Sequence, residues 1–451
     1  MSALKLDIGA LTAAYARGVH DPVAVLQALL AEAGADTPGL NALCHLDAEG
    51  ALAQAQASAA RWQAGRALGP LDGVPVSIKD LLPVAGWPTR RGSLATAGDP
   101  PAAQDAPLVA QLRAAGAVLF GKTTTTEFGW TIDSHNPHAG TTRNPRDVTR
   151  SAGGSSSGAA AQVAAGWGPL AVGSDAGGSV RIPAAWCGVV GFKPTYGAIP
   201  AAPQSAFAEF AHFGPLTRSV ADCARAMAVL GQSDPRDPAS LYPRTPAQRP
   251  AQLRIGWSLA LGAPTALDPA IAQAMRALLE RLAAAGHQLV ALPPLGLDAD
   301  QAMWTVWQSR VHESFVDWSG AQRAALDPAL QRLWEQGADL SPTRLARARA
   351  QLRGLAGALA QQFASIDVLL TPAAPTVAPL LPEAPDAQPR NWFAGNGYCY
   401  PFNLTQQPAL SLPLGRDAQG LPFGLQVVAR RYADELVLHA GRVVEGMLAA
   451  G

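Results

Sequence analysis

Residues 153–184 read GGSSSGAAAQVAAGWGPLAVGSDAGGSVRIPA. Two clusters of glycine and serine bracket an apolar run, and the second cluster leads into Ser179, Arg181 and Pro183. Residues this small let a backbone approach a ligand closely and turn N–H groups into a concavity. Gly154-Ser-Ser-Ser-Gly158 also spells GxSxG, the nucleophile elbow. An elbow follows a buried strand, whereas the preceding NPRDVTRSAG (144–153) is polar turn chemistry, so a Ser–His–Asp hydrolase is set aside.

Upstream, Gly69–Asp80 (GPLDGVPVSIKD) passes from turn residues into a short buried-strand pattern that ends in Lys79. A lysine closing such a strand must snorkel to water or be held by partners. Gly116–Thr123 (GAVLFGKT) matches the spelling GxxxxGK[ST]. A phosphate loop needs a flexible turn between its glycines; here the intervening residues look like the strand itself. Nucleotide binding is therefore not expected, and Lys122 reads as support for the loop after that strand. Residues 129–150 form a long polar loop whose His135 and His138 are candidate metal ligands or bases, though no HExxH helix or acidic pair accompanies them.

Around this centre, 9–66 reads as a helical layer, with Asp21-Pro22 as an N-terminal cap and a helix near 48–65. Residues 104–121 read as helix then strand, 188–200 as strand–turn, and 217–231 as a helix capped by Ser219 or Thr217. DPRDPASLYP (234–243) is the best candidate for an internal boundary. Beyond it, strand 253–257, helix 269–285 and strand 289–292 make a βαβ unit of a peripheral lobe, about 245–395. Helices near 299–318 and 342–365 follow. The first carries Trp304, Trp307, Phe315 and Trp318, equally readable as core or as pocket wall. Strand 366–372, a proline-rich loop 372–390, strand–turn patterns through 428 and a helix from about 433 complete the chain.

Composition bounds the function. The 451 residues are 48% hydrophobic and 15% charged, with 34 basic and 34 acidic residues, so a sizeable core is expected and a nucleic-acid partner is not. Four scattered cysteines form neither a disulfide framework nor a zinc site, in keeping with a reducing cytosol. Neither a signal peptide nor a transmembrane run is read, so a cytoplasmic protein without a membrane partner is expected.

Taken together, the two clusters, the upstream GVPVSIKD, and GKTTTTEFGW, TRNP, CGVVGFKPTYG, GPLTRSVADCA and YPFNLTQQPALSLP resemble the amidase signature family. The resemblance covers essentially the whole chain, loosely over 245–395. It implies one α/β domain over 1–451, with a central twisted mixed β-sheet covered by helices on both faces. It implies Ser179 as nucleophile, Ser155 as bridging serine behind a cis peptide from Gly154, and Lys79 as base. It further implies an oxyanion hole from the backbone of Ala176, Gly177, Gly178 and Ser179. Ser156, Asp175 and Arg181 read as support, the latter two as a pair shaping the turn.

The chemistry is consistent with those assignments. Lysine is a base only when neutral, and burial lowers its pKa; a serine between base and nucleophile can relay a proton as donor and acceptor. The implied activity is hydrolysis of a carboxamide through an acyl-enzyme, without cofactor or metal, on a small amide or carbamate. A homodimer is left open. The alternatives are specialisation for carbamates, ureas or anilides, and a glutamine-amidohydrolase component of a tRNA-dependent amidotransferase. The second is disfavoured because Asn396–Pro401 lacks the acid such proteins carry. Pocket walls are expected from 129–140, 303–318 and 391–400.

Overall fold

A computed structural model describes residues 3–242, 249–261, 266–293 and 299–450. The end of the proline-rich connection at Pro243, and short parts of the 245–395 region, lie outside them.

The N-terminal helices are α1 (Ile8–Ala16) and α2 (Pro22–Ala35), followed by β1 (Leu43–Leu46) and α3 (Ala48–Gln63). Asp21 caps α2 by accepting from Val23 and Ala24 N–H at 2.8 and 3.2 Å, and Pro22 occupies the first helical position, which needs no donor. Next come β2 (Pro75–Lys79), α4 (Pro107–Ala114) and β3 (Val118–Thr123). Gly121, Lys122 and Thr123 are thus the end of a buried strand and not a phosphate loop. Lys122 Nζ bonds Asp80 at 3.1 Å and Thr89 at 2.6 Å, so it steadies the loop after neighbouring β2, and not the loop after its own strand.

Two small hairpins, β4 (His135–Asn136) with β5 (Gly140–Thr141) and β6 (Arg143–Asn144) with β7 (Asp147–Ser151), stand where only a loop is expected from the sequence. The signature region supplies α5 (Ser157–Ala165), β8 (Leu170–Asp175) and α6 (Arg181–Cys187). Then follow β9 (Val190–Lys193), β10 (His212–Thr217) and α7 (Val220–Leu230), the last capped by Ser219. The βαβ unit is present as β11 (Arg254–Trp257), α8 (Pro269–Ala284) and β12 (Gln288–Ala291), with its strands parallel. Four helices follow: α9 (Asp300–Phe315), α10 (Gly320–Ala324), α11 (Pro328–Ala338) and α12 (Pro342–Gln362). Of these, α10 and α11 are not among the elements expected from the sequence. The chain ends in β13 (Val368–Pro372), α13 (Pro401–Leu404), the hairpin β14 (Ala409–Arg416) and β15 (Pro422–Ala429), and α14 (Asp434–Ala449).

One mixed sheet of 11 strands runs β1-β3-β2-β8-β10-β9-β14-β15-β13-β11-β12. Successive residues of a strand point to opposite faces, and here they enter different cores. In β13, Val368 and Leu370 pack with α8 and α14, whereas Leu369 packs with α9, α11 and α12. In β3, Val118 and Phe120 pack with α2 and α5, whereas Leu119 packs with α4. Helices therefore cover both faces, as the resemblance implies. The strands of the 245–395 region add to the same sheet at one edge. Among the described residues no helix is long and apolar enough to cross a membrane.

The topology decides where chemistry collects. Strands β2 and β8 are parallel neighbours, with Ile78 opposite Val172. Their carboxyl ends, Lys79 and Ser174-Asp175, therefore emerge side by side. Ligands of open α/β sheets bind at that end of the strands.

Candidate active site

Lys79 is 0% exposed. Its Nζ lies 2.8 Å from Ser155 Oγ, 2.9 Å from Ser156 Oγ and 3.0 Å from Ser174 Oγ. No carboxylate pairs with it among the described residues. Burial therefore dominates and holds its pKa well below that of an ordinary lysine, with Asp175 opposing more weakly.

The hydroxyls differ in what they can offer. Ser156 Oγ donates to Ser174 O at 3.0 Å and accepts from Ser174 N–H at 3.2 Å, so toward Lys79 it can only accept. A neutral amine has two N–H groups and one lone pair. Were the amine neutral, with one N–H on Ser156 and the other on Ser174, its lone pair would face the Ser155 hydroxyl.

Two other buried lysines show why Lys79 stands apart. Lys122 is paired with Asp80. Lys193, whose pKa burial also lowers, donates to the carbonyls of Gln407 and Pro194, which cannot pass on a proton.

Ser155 sits in the turn before α5, preceded by a cis Gly154–Ser155 peptide. Gly154 is required by close approach, since a Cβ there would lie 2.1 Å from Asp133 O. The turns of Ser155 and Ser179 meet through Ser156 N–H, which donates to Ser179 O at 3.1 Å. Ser179 is 4% exposed, and its hydroxyl has no hydrogen bond among the described residues, Ser155 included.

Asp175 and Arg181 form a fully buried ion pair at 2.8 Å. All five guanidinium donors are used. Nε and one Nη2 donor go to Asp175, and the other Nη2 donor to Asn403 Oδ1; Nη1 serves Cys399 O and Gln426 Oε1. Asp175 in turn accepts from Gly178 N–H at 2.7 Å and Val180 N–H at 3.1 Å, and the Arg181 charge holds its carboxyl far below the usual range against the cost of burial.

This corrects one expectation. Gly178 N–H is spent on Asp175, so it is not free to meet a carbonyl oxygen. The N–H groups of Ala176, Gly177 and Ser179 have no acceptor among the described residues.

Sequence reasoning missed three residues of this network: Ser174, Asn403 and Gln426. Ser174 could have been found from the parallel register of β2 and β8. Asn403 lies in a motif that carries the resemblance but has no role attached. Gln426, on a strand distant in sequence, leaves no local signal.

A cavity of about 1100 Å³ is lined by Glu127, Trp130–His135, Asp327, the 379–388 loop, Asn391 and Trp392, and Gly154, the residue before Ser155, packs on the backbone of two of them, Ile132 and Asp133. The 129–140 and 391–400 walls agree with expectation; the 303–318 wall does not. Trp304, Trp307 and Phe315 are buried, and Trp307 stacks on Phe207 at 3.7 Å behind Trp392. Trp130 O accepts from both Trp307 Nε1 (3.0 Å) and Trp392 Nε1 (3.1 Å), joining the two layers. Trp392 also abuts the nucleophile turn, since a Cβ at Gly177 would lie 2.5 Å from its Cη2. His135 bonds Thr141 Oγ1 at 3.0 Å and His138 is exposed; neither bonds Ser155 or Ser179. Among the described residues no three His, Cys, Asp or Glu side chains are grouped to hold a metal.

Comparison with known proteins is specific. The family model described as Amidase matches residues 24–438. An acylamidase of Rhodococcus erythropolis is 35% identical over 97% of this chain and 94% of its own length. A glutamyl-tRNA(Gln) amidotransferase subunit of Chloroflexus aurantiacus is 34% identical over 97% of this chain and 95% of its own. Among solved structures, 6-aminohexanoate cyclic dimer hydrolase superposes with a TM-score of 0.88 at 29% identity, over 99% of this chain and 97% of that one. A bacterial aryl acylamidase of the amidase signature enzymes gives 0.88 at 27% identity, over 98% and 96%.

Proposed function

Since this chain belongs to the amidase signature family and is a hydrolase of C–N bonds in amides, we propose that it works through an acyl-enzyme on Ser179. Ser179 Oγ attacks the amide carbon while its proton passes to Ser155 Oγ, whose own proton passes to the Lys79 lone pair. The carbonyl oxygen, now an anion, is met by the N–H groups of Ala176, Gly177 and Ser179; one such donor is worth roughly 10²–10³ in rate. As the C–N bond breaks, the proton on Lys79 returns through Ser155 to the leaving nitrogen, and the amine departs. Water then repeats the sequence on the ester, releasing the acid and restoring Ser179.

The observation that carries this reading is the Lys79 amine, buried without a counter-charge and ringed by serine hydroxyls. The test is a chromogenic anilide with stopped-flow and mass detection. Wild type shows a burst and a covalent acyl mass; Ser179→Ala and Lys79→Ala abolish turnover while keeping the fold. Near wild-type turnover by Lys79→Ala at every pH would refute the relay.

Likeness to the amidotransferase protein raises glutamine as a substrate. Against it, Asn396–Pro401 lacks the acid that such proteins carry at that position. The tryptophan wall beside the nucleophile favours acyl or aryl amides, and a glutaminase assay separates the two.

A further inference from the structure

Asp133 is held at the edge of the catalytic turn and has no partner for its charge. Its backbone carbonyl packs on Gly154, the residue before Ser155, so its Cα cannot drift from the site. Its side chain is exposed in the wall of the large cavity. The carboxylate has one hydrogen bond, from Thr131 Oγ1 at 3.2 Å, and no ion pair among the described residues.

Of the other charges of that cavity, Glu383 on the exposed 379–388 loop has no hydrogen bond or ion pair among the described residues, and the rest are engaged. Arg390 pairs with Asp386 at 2.6 Å, and Arg143 donates to Val148 O. Glu127 is held by Ser93 and Asp327 N–H, and Asp327 caps α11 at Ala329 N–H. Nearby His135 is biased toward its neutral form by burial. Besides Glu127, the carboxylates of Asp133, Asp327, Glu383 and Asp386 line the cavity against two guanidiniums, so its field is negative. Crowding by the wall disfavours the Asp133 anion and raises its pKa, a cost that a bound cation would relieve. Trp130 and Trp392 share the cavity, and aromatic faces attract an ammonium group once it leaves water.

We infer that Asp133 is a specificity residue that selects amides bearing a protonated amine away from the scissile bond. This rests on the amidase reading and adds the substrate class. A cation placed against Asp133, with the amide at Ser179, uses the unpaired charge that is anchored beside Gly154, whereas an anionic substrate would meet a wall of like sign.

The test compares ω-aminoacyl anilides of increasing length with isosteric alkanoyl anilides, in which a methyl group replaces the ammonium. At the length that spans from Ser179 to Asp133, wild type is expected to favour the ammonium member roughly tenfold in kcat/KM, mainly through KM. The preference weakens as salt is raised. In Asp133→Asn the ratio falls toward one, and Asp133→Glu restores part of it; thermal unfolding checks that both variants fold. A wild-type ratio near one at every length, a preference for carboxylate-bearing substrates, or a ratio that survives Asp133→Asn would overturn the inference while leaving the amidase reading intact. Failure to turn over either member of any pair would overturn both.

Discussion

Replacing Asp175 by asparagine tests whether the buried pair shapes the nucleophile turn. Oδ1 accepts from Gly178 N–H, Arg181 Nη2 and Asn403 Nδ2, and Oδ2 from Val180 N–H and Arg181 Nε. Whichever way the asparagine amide is turned, its NH2 group faces donors instead of an acceptor. Arg181, with no exposed surface, is left as an uncompensated charge. Breaking a buried pair from one side costs about 3–5 kcal/mol. At about 2.1 cal/mol/K per residue, a chain of 451 residues has an unfolding entropy of roughly 0.9 kcal/mol/K, so Tm falls by about 3–5 °C. With the NH2 group at the Oδ1 position, Gly178 N–H loses its acceptor and no longer fixes the turn that leads into Ser179, and kcat should fall about 10²-fold, the scale of one oxyanion donor. Calorimetry and steady-state hydrolysis of one anilide provide both readouts. Adding Arg181→Met to Asp175→Asn removes the stranded charge, and the double variant should lose less stability than the two single variants summed. A single variant within 1 °C and threefold of wild type would refute the reasoning.

Three further outcomes follow from the same geometry. The proton relay needs neutral Lys79, so kcat/KM rises with pH through an ionisation below the ordinary lysine value and falls on acidification; a flat profile from weakly acidic to alkaline pH would count against it. Gly177→Ala places a Cβ 2.5 Å from Trp392 Cη2 and 3.0 Å from Phe393 Cε1, so kcat should drop at least tenfold, and Trp392→Ala should recover part of the loss in the double variant. Glu127, pushed up to about 7 by burial, keeps its proton in the fold where the unfolded chain has lost it. Its contribution to stability therefore declines as pH rises from about 4.5 to about 7 and is level above. Relative to Glu127→Gln, wild type should lose on the order of 3 kcal/mol across that window in urea titrations; a constant difference would refute it.

How much is legible in the sequence follows from the range of each interaction. Helix α2 and the β2–α4–β3 and β11–α8–β12 units announce themselves because the Asp21-Pro22 cap of the first and the apolar runs of the others are local. Helix α11 also carries a local signal, with Asp327-Pro328 at its start and Leu330 and Leu333 facing inward. The hairpins in 135–151 read as loop because strands of two residues have no periodicity to detect. The tryptophans of α9 cannot be sorted into core or pocket from sequence, since that depends on Trp392 and Phe207 lying between them and the cavity or against them. The serines and Lys79 are legible only through a motif, and the motif does not say which N–H groups are spent.

That last distinction separates the part of the site that holds shape from the part that reacts. Buried polar groups in folded proteins are normally paired, so those left unpaired carry information. Asp175 and Arg181 are saturated: every guanidinium N–H has an acceptor, and both carboxylate oxygens have several donors. Ser156 is likewise saturated by Lys79 and the Ser174 backbone. A group in this condition cannot bond a substrate without first breaking a bond to the protein. The unspent capacity is elsewhere, in the Ser179 hydroxyl, the N–H groups of Ala176, Gly177 and Ser179, and the lone pairs of Ser155. These belong to two turns that are clamped together by Ser156 N–H on Ser179 O. Asp175 removes Gly178 from the free donors. The Asp175–Arg181 ion pair thus decides which N–H groups of this turn remain unspent.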